Sequence, residues 1–110
     1  MIINNYRGVS LDKEGMLRAV ISQLNKDILL SGFTFSFNLN LSLELFYKEL
    51  FDWLNLIFLE EKTQFITLLY RVDIQEKRVF NDSIISIDNG VVLIIEREFQ
   101  KVVLKEYFKG

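Results

Sequence analysis

The chain has 110 residues, half of them apolar and a quarter charged, with 13 basic against 15 acidic side chains and no His, Cys or Pro. That length and apolar content fit one domain, spanning 1–110, able to bury a core without disulfide or metal staples, and they argue against disorder. The missing Cys and His exclude disulfides, thiolate nucleophiles, iron–sulfur clusters, thiolate- or imidazole-bound metals and Ser-His-Asp catalysis, while a net charge of −2 and a pI near 5.1 give no footprint for nucleic acid.

Residues 1–8 lack the charged start and apolar stretch of a secretory leader. The first helical pattern runs from about Asp12 to Leu30, with Leu17, Val20, Ile21, Leu24 and Ile28 on one face. Asp12 suits its N-cap, and Gly32 suits a left-handed closing position. Residues 33–41 then alternate apolar and polar without a fault, the period of an extended segment with one buried face. Its backbone groups need partners. It is expected either to pair with a late hairpin or to lie as an arm across helices or another subunit.

The period turns helical again at Ser42, a second N-cap candidate, for a helix reaching about Glu60. Glu44, Lys48, Asp52 and Asn55 form one narrow polar stripe, and Leu and aromatic residues cover most of the remaining circumference. An ordinary surface helix carries an apolar stripe only a little over about 100° wide. This helix is therefore predicted to be buried on more than one side, at the centre of the domain. Its longest uncharged run, 53–59, falls far short of the roughly 20 apolar residues that cross a bilayer, so a soluble, cytoplasmic chain is expected.

A break near Glu61-Lys62 leads to a shorter helix from about Thr63 to Val72. Asp73 and Glu76 have capping-box spacing, which predicts a new helical turn through about Phe80. The last third supports two readings. Asn89-Gly90 between β-branched residues is a hairpin signal. Against it, Val92, Ile95, Phe99, Val102 and Val103 keep helical spacing, with Arg97, Lys101 and Lys105 on the opposite side, and a helix over about 91–108 is favoured, with Asp88 or Asn89 near its cap. The predicted fold is mainly α, a small bundle of four or five helices with one extended arm (33–41). The alternative is α+β with a hairpin at Asn89-Gly90 in the C-terminal half.

Few residues suggest chemistry. Glu60-Glu61, Asp73 and Glu96 with Glu98 are the acidic groups available for an oxygen-ligand metal site, but Glu96 and Glu98 at i, i+2 point to different sides of a helix. Solvated helix faces account for them better. Arg71 and Arg97 interrupt apolar runs, so each calls for a carboxylate such as Asp73, Glu96 or Glu98. These five form either a polar site for an anionic ligand or structural ion pairs joining two helices, the second being favoured. The glycines are too scattered for a phosphate loop, and the aromatics lack the interleaved basic residues of single-strand binders. No catalytic residue, metal or cofactor is assigned.

What remains is surplus apolar surface in 33–59, and large apolar patches mark partner sites. The favoured function is a non-enzymatic interaction or assembly module, with itself or another protein as partner and homodimerisation as the leading case. Its interface would bury Phe33, Phe35, Phe37, Phe51, Trp53 and Phe58. The alternative is a small ligand-binding protein or carboxylate-dependent enzyme centred on Arg71 and Arg97; peripheral membrane attachment ranks third. Composition carries a further signal: Phe, Tyr, Ile, Asn and Lys supply 42 residues, and Gly, Ala, Arg and Pro only 11. That is the codon bias of an AT-rich genome.

Overall fold

The computed structural model of the protein describes residues 12–75, 78–81 and 84–108. The Asp12 carboxylate accepts the Gly15 amide proton at 2.6 Å and starts α1 (Lys13–Leu30), satisfying one of the donors a helix start leaves unpaired. α1 buries Met16, Val20, Ile21, Leu24 and Ile28, the face its spacing indicates, with Leu17 half-buried at the edge. Its end is a Schellman closure: Phe33 N–H donates to the Ile28 carbonyl, and Gly32 N–H to the Leu29 carbonyl. Gly32 adopts φ +95° there, and a Cβ on it would lie 3.0 Å from the Gln64 side-chain nitrogen.

Residues 33–38 form the arm and join no ladder, and 39–40 make a turn, with Asn40 N–H donating to Asn38 Oδ1, that leads into α2. The alternation holds only in part: Thr34, Ser36, Asn38 and Asn40 are exposed and Phe33, Phe37 and Leu41 turn inward, but Phe35 and Leu39 are exposed as well. A side chain supplies the backbone partner. Phe37 N–H donates to Asn25 Oδ1 at 2.8 Å, and Asn25 Nδ2 donates to the Phe37 carbonyl at 3.0 Å. One carboxamide thus does the work of a neighbouring strand, and the arm lies across the helices of its own chain.

Ser42 Oγ accepts the Leu45 amide proton at 3.2 Å and caps α2 (Leu43–Glu60). α2 buries Phe46, Leu50, Trp53, Leu54 and Ile57, an arc of about 100° at 3.6 residues per turn. Phe51 and Phe58 flank it half-buried, and Leu45, Leu56 and Leu59 are exposed. The expectation of a central helix covered on several sides is therefore corrected. α3 and α4 each pack against the three other helices, whereas α1 and α2 sit across from one another. The central positions fall to the two later helices, and no described element covers the outer face of α2.

α3 (Lys62–Val72) buries Phe65, Leu68, Leu69 and Val72. Asp73 does not open a new helix: it closes α3 in the left-handed region, at φ 73°, with Ile74 N–H donating to the Leu69 carbonyl at 2.8 Å. Asp is one of the few side chains that visit this region readily, and the closure buries Ile74 together with Leu69. Glu76, the other half of the expected capping box, lies outside the described residues.

A two-residue antiparallel ladder follows, with β1 (Phe80–Asn81) against β2 (Ile84–Ile85) and Phe80 opposite Ile85. Ser86 Oγ then accepts the Asn89 amide proton and caps α4 (Ile87–Tyr107), four residues ahead of the predicted start. The hairpin at Asn89-Gly90 is thereby overturned. Both residues sit in the first turn of α4, Gly90 N–H donates to the Ser86 carbonyl at 3.0 Å, and the Asn89 side chain donates to the Arg78 carbonyl. A Ser cap followed by a long run of helical spacing prevails over a turn dipeptide, because that spacing buries Val91, Ile94, Ile95, Phe99, Val102 and Val103. The described residues form a mainly α four-helix bundle with an extended arm. No described helix is long and apolar enough to cross a membrane.

Candidate functional site

The aromatic residues expected at an interface first meet each other. Trp53 is contacted edge-on by Phe33, with ring centroids 5.1 Å apart, and by Phe37 at 5.7 Å, and Phe35 stacks on it at 5.1 Å with 16° between planes. Phe37 also meets Phe46 edge-on at 5.5 Å. This packing pins the arm to α2, and its rings sit in the offset and edge-to-face arrangements aromatic pairs prefer. Phe37 and Trp53 are consequently buried inside the chain, Phe33 and Phe51 half-buried. Phe58 is half-buried too, edge-on to Phe65 and under the Lys62 ammonium. Of the six, Phe35 alone stays exposed, at 39%.

The accessible apolar surface of this region belongs to other residues. Leu45 is 51%, Leu56 50% and Leu59 72% exposed. Eleven and then three residues apart, they share the side of α2 facing away from the core. Leu39 and Leu43 are exposed separately, where the arm turns into α2. There they line a groove of about 660 Å³ together with Leu41 and with Lys13, Leu17 and Arg18 of α1. Reading α2 as apolar over most of its circumference outside one polar stripe did contain the signal. What it lacked was the knowledge of which arc the bundle would cover.

The polar residues do not converge. Arg97 pairs with Asp73 at 2.9 Å and also donates to Gln100 Oε1 at 3.1 Å, which ties α4 to the end of α3. Glu96 and the Arg71 side chain are exposed, and Arg71 contributes only its carbonyl to an internal contact. Glu98 turns the other way, fully buried. It meets two residues that inspection of the sequence passed over. Lys101 Nζ lies 3.3 Å from Glu98 Oε1, donates to Asp27 Oδ2 at 2.9 Å, and donates to the Arg71 carbonyl at 2.9 Å. Asp27 is itself buried. The clue was available: Asp27 continues the apolar stripe of Val20 and Leu24, and Glu98 that of Val91 and Ile94.

Burial, reinforced by the neighbouring Asp27 carboxylate, pushes the Glu98 carboxyl up to about 8, and the Lys101 ammonium only partly opposes this. The balance has a visible cause. Lys101 directs its hydrogen bonds to Asp27 and to the Arg71 carbonyl, and neither Glu98 oxygen accepts one. Among the described residues no three acidic groups gather to hold a metal ion. No family model, no curated protein and no solved structure matches this chain.

Proposed function

We propose that this chain is a non-enzymatic assembly module that pairs with a second copy of itself through the outer face of α2 and the exposed edge of the arm. The observation that supports this reading is the exposed run of Leu45, Leu56 and Leu59 on a helix whose opposite face is fully occupied. Phe35, Leu39 and Leu43 are further exposed apolar side chains on the arm and at the start of α2. Apolar surface gathered in this way marks a partner site, and a two-fold homodimer is the commonest means of covering one. Lys48, Glu49 and Asp52 lie among the leucines, the mixed charge that sets orientation in helix pairs. The reading keeps the protein in the cytoplasm, where a chain without Cys loses nothing to reduction.

Light-scattering chromatography across a wide concentration range tests it. The wild-type chain should run as a dimer, and Leu56→Lys with Leu59→Lys should run as a monomer with an unchanged far-ultraviolet circular dichroism spectrum. A wild-type chain that stays monomeric at every concentration refutes the proposal.

A further inference from the structure

We propose that Asp27, Glu98 and Lys101 form a proton site, in which one bound proton bridges the two carboxyl groups and latches α1 to α4. Three helices meet at this point. α1 supplies Asp27, α4 supplies Glu98 and Lys101, and α3 supplies the Arg71 carbonyl. With both carboxyls ionised, one ammonium faces two negative charges in a place where Glu98 is 0% exposed. An uncompensated buried charge is costly. Lys101 already occupies the cationic position, gives two of its three donors to Asp27 and the carbonyl, and stands 3.3 Å from Glu98 Oε1 without a hydrogen bond to it. What the Glu98 oxygens lack is a hydrogen.

A proton on Glu98 meets that need. The protonated carboxyl donates to the Asp27 carboxylate, the cluster falls to net zero charge, and the pair shares one proton as closely placed carboxyls do. Among the described residues, Asp27 and Lys101 are the charged groups that act on the Glu98 carboxyl, and the residues that α2 and α3 bury are apolar. Burial and Asp27 hold the Glu98 carboxyl near 8, against 4.5 when it is free in water. When α1 and α4 part, Glu98 returns to its ordinary value. The closed pair therefore binds a proton that the open pair releases. The latch is at full strength below about pH 4.5, weakens as pH rises, and has lost its advantage once pH passes about 8. This runs opposite to ordinary paired carboxylates, which favour the folded state as pH rises.

The test is a titration of the intact chain by NMR, following side-chain carboxyl carbons with Glu98 assigned through its own backbone. Glu98 should titrate near pH 8, and Asp27→Asn should bring its midpoint down. Amide hydrogen exchange, corrected for intrinsic pH dependence, then reads the latch. Protection in the last turn of α1 and around residue 98 should fall about tenfold per pH unit between roughly 5 and 8 and level off above. Glu98→Gln should flatten that profile. A wild-type Glu98 midpoint at or below 5 overturns the proton site without use of any variant. A midpoint near 8 with pH-independent protection overturns the latch.

Discussion

Lys101 holds Asp27 at 2.9 Å with side chains 19% and 6% exposed, whereas Arg97 holds Asp73 at the same distance with 30% and 75% exposed. Distance alone does not separate these two pairs, but water does. Screening leaves an exposed pair worth less than about 1 kcal/mol, so Arg97→Ala should barely move a urea unfolding curve. Lys101→Met strands the buried Asp27 charge and should cost about 3 kcal/mol. Equal losses in the two variants would contradict the burial difference. Arg97 and Asp73 were legible as partners because few carboxylates were at hand for an Arg inside an apolar run. Asp27 and Lys101 were not, since each reads as ordinary helix charge until α1 and α4 lie side by side. A pattern break on one stripe identifies a buried polar group but does not say what answers it from 74 residues away.

The arm depends on Asn25 for its backbone hydrogen bonds at Phe37 and on Trp53 for its side-chain packing. Asn25→Ala removes both hydrogen bonds at once, and about 1–3 kcal/mol should be lost. Trp53 is the only tryptophan, so release of the arm should also shift its emission to the red; an unmoved spectrum with full stability would show that the rings alone suffice. At this scale most of the fold was legible. Asp12, Ser42 and Gly32 act as the caps their chemistry suggests, and the change of period at 33 and again at 42 marks real boundaries. Asp73 was misread because the same carboxylate side chain serves a helix start and a left-handed helix end, and only the burial of Ile74 selects between them. Asn89-Gly90 was ambiguous for a similar reason: a turn dipeptide is also compatible with the first turn of a helix once Ser86 caps it.

For the molecule as a whole, the bundle class followed from periodicity, but the ranking of its helices did not. Apolar content made α2 look central, although centrality depends on how many neighbours a helix meets, and α3 and α4 meet the most. The leftover apolar face on α2 is what makes assembly the leading functional reading. The absence of Pro supplies a further expectation. Refolding monitored by Trp53 emission should lack the slow phase of about 10–100 s that prolyl isomerisation gives. Any slow phase should quicken with protein concentration, as assembly does; one that ignores concentration would contradict this. The long reach from Asp27 to Lys101 also has a consequence for biosynthesis. At about 5–20 residues per second, a ribosome needs roughly 4–15 s to add the 74 residues between them. Through that interval the nascent α1 carries an acidic group, and the part of its apolar face that packs on α4, without the partners they will meet. The α1–α4 contact therefore closes only after residue 101 has been made, and until then the side of α1 that faces α4 is the surface a chaperone would have to shield.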